Sequence, residues 1–482
     1  MRSGLVYLIC GFAALTAPIH LWVAQTLPAT APATAPANAM SREILDRIDR
    51  TELGPLYHPE CSGAYYEIHK LLEKYFDAAS STQRKALTLQ ISAIGLDANI
   101  VGRLVRIHMD WPELVAGPHL IDVHVGPHRV QYYLGVPPLY DRTVRWPLVI
   151  QLPSYKPFFT DPRPDSLTIA KLYTGWINDE LTKHPNALVL MPMLDTEEGF
   201  SPSYAAMNSV IGAMNHALSQ ANIDPGRVYL IGQDGAAGSV WNLGLHFTTY
   251  FAAINPFAGS IPADWQRLRF ENLLNTAVVT WNDADNKDDP IASTLDVVQI
   301  LKRFKCDVTF VKTQHAGNAP PPATIQQAYE AVRAHTRQLY PGKIDIASNR
   351  PDTMFNRLDW VQMYQATRAG HEQHLLFHHA GFMTVDANSM SVQASIASNK
   401  IEATTDNVQS MRFYLNDQMI DFSKPVVLSI NKHEKFNKLV KPNVDEMLKD
   451  QLFLGRGWRY FTVVLDVDFG EPATRPGASR GP

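Results

Sequence analysis

The sequence predicts an α/β protein: a mostly parallel sheet covered by helices, with a helical segment before it and a small β-sandwich-like domain after it. Three observations lead there. Between residues 120 and 340, short β-branched apolar runs alternate with amphipathic helical stretches, the pattern of a helix-covered parallel sheet. Residues 41–115 carry apolar positions at helical spacing. Beyond residue 346, short alternating runs are separated by polar turns and few helices intervene, as in a small sandwich.

Taken in order, the chain opens on a segment with the character of an export signal. Arg2 supplies the positive end, and Leu5 to Leu15 the apolar stretch. Cleavage is expected after Ala24 or Ala39, and the signal is assigned to residues 1–26. Pro18 and His20 interrupt the apolar run, so no transmembrane span is expected once the signal is removed, although an uncleaved anchor is the alternative. The expected location is periplasmic or extracellular. Residues 27–40 form a Pro/Ala/Thr linker. The segment 41–115 follows, with Ser41 placed to cap a helix carrying Ile44, Leu45 and Ile48. A second apolar face holds Tyr66, Leu71, Leu72, Tyr75 and Phe76, and a third runs from Ala86 to Ile107.

In the domain spanning 116–345, strands are expected at Ile121–Val125, Val130–Leu134, Trp146–Leu152, Ala187–Pro192, Arg227–Ile231, Thr276–Trp281 and Asp307–Val311. Helices are expected at Ser166–His184, Tyr204–Ala221, Gly238–Phe247 and Ser293–Phe304. Residues 346–470 form the β-rich domain, and 471–482 a polar tail. At 482 residues, with 45% hydrophobic and 19% charged content, the chain is long enough for two or three folded domains. Its net charge of -4 and lack of a basic stripe argue against nucleic acid as a partner. After signal removal Cys61 and Cys306 remain; export permits a bridge between them, but nothing in the sequence requires one.

The stretch most informative about function is Val228 to Ser239. An apolar run enters a Gly232-Gln-Asp-Gly-Ala236 turn, and a small-residue helix start follows. This is the layout of a nucleophile elbow, whose pattern is Gly-x-Ser-x-Gly; here Asp234 stands at the serine position. With Trp241-Asn-Leu-Gly-Leu-His246, Tyr250-Phe-Ala-Ala-Ile-Asn-Pro-Phe-Ala-Gly259 and Trp281-Asn-Asp-Ala-Asp285, the chain resembles secreted bacterial α/β-hydrolases of the esterase and prolyl-oligopeptidase type over residues 120–340. Asp421 to Asn431 is similar to the β-domain that follows such hydrolases in some bacterial proteins.

That resemblance implies an α/β-hydrolase-type sheet and a site at its elbow. Asp285 matches the triad acid, and Asn318 matches the triad histidine, with His315 three residues earlier. Asparagine is no general base. The oxyanion loop reads Leu152-Pro153-Ser154-Tyr155-Lys156-Pro157, where two prolines remove possible donors; Gly235 keeps one. The leading expectation is therefore a degenerate hydrolase with no cofactor, whose former cleft binds a small molecule or peptide or serves a structural role. The alternative is a hydrolase with Asp234 as covalent nucleophile, His315 as base and Asp285 as orienting acid. A third is an envelope or surface module that works through its C-terminal β-domain.

Two other clusters are read as solvated. His371, His374, His378 and His379 include an i, i+3 pair but no zinc-binding motif, so no metal is assigned. Asp283, Asp285, Asp288 and Asp289 lack the spacing of a calcium loop.

Overall fold

The apolar runs become strands because both faces of the central sheet are covered. In the computed structural model, residues 40–125, 128–153, 166–193, 204–257, 269–287, 290–317, 319–348, 356–367, 372–377, 381–386 and 389–469 are described; the side chains of Val125, His128, Ser166, Tyr204, Ala205, Ala206, Asn208 and Asp234 and of residues 372–386 lie outside that description. The signal and linker, Ser154, Tyr155, Asn318 and the tail fall outside it as well.

The chain forms β1 (Gly117–Val125), β2 (His128–Val136), β3 (Trp146–Leu152), β4 (Leu188–Pro192), β5 (Ile223–Gln233), β6 (Ala253–Phe257), β7 (Ala277–Asp283) and β8 (Val308–Thr313). They make one sheet in the order β1-β2-β4-β3-β5-β6-β7-β8. The pairs β1/β2 and β2/β4 are antiparallel and the remaining pairs parallel. This is the α/β-hydrolase arrangement, a sheet with one reversed strand near its edge and helices on both faces. Leu148, Ile150, Leu190, Val228, Leu230 and Ile254 share one core layer, while Val149, Tyr229, Ile231, Val279 and Trp281 share the other. Each fully buried aliphatic side chain contributes about 1.5–3 kcal/mol.

Four helices precede the sheet: α1 (Arg42–Leu53), α2 (Ser62–Asp77), α3 (Ser81–Ala93) and α4 (Ala98–Leu104). Ser41 caps α1 by accepting from the Ile44 amide. The third apolar face is two helices, not one, because the chain turns at Gly95 with φ 81° before Asp97 caps the next helix. The sheet is covered by α5 (Ser166–Lys183), α6 (Tyr204–Gln220), α7 (Ala237–His246), α8 (Ile291–Arg303) and α9 (Pro322–Arg333).

The C-terminal region is a sandwich. It comprises β9 (Lys343–Ser348), β10 (Arg357–Leu358), β11 (Val361–Ala366), β12 (Glu372–Phe377), β13 (Gly381–Asp386), β14 (Met390–Ala397), β15 (Lys400–Asp406), β16 (Val408–Leu415), β17 (Val426–Ile430), β18 (His433–Lys438) and β19 (Val463–Asp468). A five-stranded sheet, β18-β17-β15-β14-β9, faces a four-stranded one, β10-β11-β16-β19; β12 and β13 form a separate hairpin. Ile346, Val392, Ile401 and Leu428 from the first meet Val361, Met411, Phe413 and Leu465 from the second. A helix, α10 (Val444–Leu454), interrupts the β pattern and lends Met447 and Leu448 to the core of the N-terminal helices.

A buried ion-pair cluster ties the sandwich to the segments that flank the central sheet. Arg337 donates two hydrogen bonds of 2.7 Å to Asp359, Arg459 donates to the same carboxylate, and Thr249 donates to it at 3.1 Å. Arg357 and Asp450 form a second buried pair. Cys61 and Cys306 are free thiols. No helix among the described residues is long and apolar enough to cross a membrane.

Candidate active site

Three loops lie at the carboxyl end of the sheet, after β5, β7 and β8. The first joins β5 to α7. A 3-10 turn, Asp234–Ala236, connects the strand directly to the helix. Gly232 makes this turn possible: a Cβ there would lie 2.7 Å from Val240 Cγ2 and 2.9 Å from the Ala236 carbonyl oxygen. The helix start is pressed onto the strand end, so the backbone of residue 234 is lifted at the tip between them, as an elbow requires. Gly235 is exposed beside it.

The second loop follows β7 and is held by Asp283. This residue is fully buried. Its carboxylate accepts from Thr313 Oγ1 at 2.6 Å and from the amides of Asp285, Ala316 and Gly317 at 2.9, 3.0 and 3.0 Å. Burial alone would raise its pKa; the Thr313 hydroxyl and the three amides outweigh that and hold it at about 2. Trp281 Nε1 also donates to Thr313 Oγ1 at 3.0 Å, and its ring stacks on Phe257 at 5.5 Å. Asp283 therefore acts as a clasp between the loops after β7 and β8. With four donors on it, it is a structural acid rather than a calcium ligand or an orienting acid.

The third loop follows β8. His315 has φ 63° and Gly317 also has φ 63°, so the chain doubles back tightly at this point. The result is a hydrogen bond of 2.7 Å between His315 Nδ1 and Asp285 Oδ2. The structure thus joins the two residues expected as base and orienter. Their side chains are nevertheless 85% and 54% exposed.

The remaining expectations stand as follows. The Asp234 side chain, Asn318, Ser154 and Tyr155 lie outside the described residues, as do Asp288 and Asp289. Pro153, which has no amide hydrogen, directly follows β3 and is buried. Of the four clustered histidines, His374 lies on strand β12 rather than on a helix; the other three are outside the described residues. Thr313 was not anticipated, because a threonine ending a strand carries no signal beyond strand propensity.

A cavity of about 710 Å³ lies elsewhere, between the α8–β8 turn and the sandwich. Arg303, Lys305, Lys343, Asp345 and Gln393 line it.

No family model matches the chain, and no curated protein matches it. Solved structures do show likeness. A thermostable esterase is 18% identical over 46% of this chain and 63% of its own, with a TM-score of 0.37. A phospholipase/carboxylesterase from Dyadobacter fermentans is 12% identical over 46% of this chain and 98% of its own, TM-score 0.29. Est1E from Butyrivibrio proteoclasticus is 11% identical over 45% of this chain and 96% of its own, TM-score 0.31. The chain spans a little under two thirds of the first of these.

Proposed function

We propose that the chain is an exported α/β-hydrolase-fold protein, akin to esterases and peptidases, that has lost serine-hydrolase chemistry. Its cleft above Asp234 binds a small molecule or peptide, or serves a structural role. The observation that carries this reading is the setting of the histidine–acid pair. In a working triad the acid is buried and fixes the imidazole in one tautomer and orientation. Here Asp285 and His315 are 54% and 85% exposed, and water competes for both. The elbow serine is absent as well, and the one well-buried acid nearby, Asp283, is occupied in holding loops together.

One observation favours the second reading, a hydrolase with an aspartate nucleophile. The bond of 2.7 Å between His315 and Asp285 is the base–orienter contact such an enzyme needs. In that chemistry an Asp234 carboxylate oxygen attacks an electrophilic carbon, and the leaving group departs with the bonding electrons. His315 then takes a proton from water, the hydroxide attacks the ester carbonyl, and the alcohol leaves as the carboxylate is restored.

A panel of aryl esters, epoxides and haloalkanes separates the two readings. The degenerate reading expects no turnover above buffer, and identical traces for the wild type and Asp234→Ala. Turnover lost in both Asp234→Ala and His315→Ala, with label from H2(18)O entering Asp234, would overturn it. The envelope-module reading is testable only by surface substitutions on the sandwich. Deleting residues from 385 onward would remove Met447 and Leu448 from the core of the N-terminal helices.

A further inference from the structure

We infer that Glu73, His108 and Asp110 form a binding site for one divalent transition-metal ion, which bridges α2 and the segment after α4. One ring nitrogen of His108 and one carboxylate oxygen from each acid all lie within 4.8 Å of one another. Ligands of a zinc-like ion at about 2.0–2.2 Å stand roughly 3–3.5 Å apart, so a modest side-chain rotation closes the site. Asp110 is exposed and free to make that rotation.

The second observation is His108 itself. The residue is 8% exposed, and its Nε2 is buried with no hydrogen-bond partner. A buried ring nitrogen without a partner carries a desolvation penalty that a ligand would recover. The ring is steadied by Trp111, whose centroid is 5.9 Å away. Burial, with Arg456 alongside, keeps His108 well below its ordinary pKa, and the neutral imidazole is the ligating form.

The surroundings resemble the outer shell of a metal site. Glu73 Oε1 accepts from the Met109 amide at 2.8 Å, and Glu73 Oε2 accepts from Arg456 at 2.7 Å. Arg456 also donates to the carbonyls of Val105 and Ile107, at 2.8 and 2.5 Å. The guanidinium opposes a cation, but Glu73, Asp110 and the nearby Asp77 leave the local charge negative. One nitrogen and two oxygens suit Zn²⁺, Co²⁺ or Mn²⁺ rather than Ca²⁺.

The test uses the full chain, stripped with chelator and titrated with Co²⁺ and Zn²⁺, with Ca²⁺ and Mg²⁺ for comparison. One Co²⁺ per chain should give visible d–d absorption, and Zn²⁺ should raise the thermal midpoint. Asp110→Asn, at an exposed position, should keep the metal-free midpoint of the wild type while binding at least tenfold more weakly; His108→Gln should do likewise. Replacing His371, His374, His378 and His379 together by alanine should change nothing. The inference fails if no saturable site is found below millimolar metal. It fails equally if Asp110→Asn binds as the wild type does, or if only the fourfold histidine variant loses the site.

Discussion

Replacing Glu271 by glutamine should stabilise the protein, and increasingly so as pH rises. Glu271 lies in the 3-10 turn Phe270–Asn275. Its neighbour Asn272 binds β9 through the Ala347 amide at 2.7 Å, which places the turn against the strand that carries Asp345. Burial pushes Glu271 up from 4.5 to about 8, and the charge of Asp345 adds to this. Asp345 is itself raised by burial to about 6, opposed by a bond from Gln393 at 3.1 Å, and its other oxygen is buried without a partner. Cys306 is pushed up to about 12 by burial, helped by both carboxyls. Folding therefore holds a proton on Glu271 that the unfolded chain releases. Below pH 4.5 both states are protonated and the residue costs nothing. From there to about pH 8 the unfolded state binds fewer protons, so stability falls with pH; above 8 the loss is constant. At 1.36 kcal/mol per unit, the shift corresponds to a ceiling of about 5 kcal/mol at pH 9. Denaturant unfolding of the wild type and Glu271→Gln at pH 4, 7 and 9 should give curves that coincide at pH 4 and separate by a few kcal/mol at pH 9. A separation that stays constant across this range, or a glutamine variant less stable at pH 9, would refute the reasoning.

Asp359→Ala should destabilise by about 3–5 kcal/mol in thermal or denaturant unfolding, because it leaves the Arg337 and Arg459 guanidiniums buried against no carboxylate. A loss below about 1 kcal/mol would show that the cluster does not tie the sandwich to the segments that flank the sheet. Gly232→Ala should cost about 1–3 kcal/mol, since its Cβ meets Val240 and the Ala236 carbonyl, the latter a backbone atom that cannot swing aside. A neutral result would mean that the elbow is not closely packed.

The central sheet was legible because its strands are buried on both faces and so read as continuous β-branched runs. The strand β6 was harder to read. Pro256 is its fourth residue of five and removes a ladder donor, although the strand is flanked by β5 and β7. The helix α10 was hidden by its surroundings rather than by its sequence. Asn443 caps it by accepting from the Asp445 and Glu446 amides, with both acids in its first turn, a start signal readable in advance. Composition over 346–470 averaged that signal away.

The site was legible as a set of loops but not as contacts. Counting along the motif aligns Asn318 with the triad histidine and leaves His315 three residues short. The structure joins His315 to Asp285 all the same, and the reason lies in a motif residue given no catalytic role. Asp283 collects the amides of Ala316 and Gly317, and two left-handed residues on either side of Ala316, His315 and Gly317, turn the loop back. A linear pattern carries no information about which of two neighbouring aspartates turns inward to gather amides and which turns outward to meet a histidine. That choice is made by burial: a carboxylate in the interior is tolerated only when fully bonded, and only Asp283 has four donors within reach. The same limit applies to Glu73, His108 and Asp110. They come from two segments joined in space by Arg456, far along the chain, and no spacing rule connects them. In both places a charged residue to which the sequence pattern gives no role, Asp283 in one and Arg456 in the other, gathers the backbone that carries the neighbouring polar side chains.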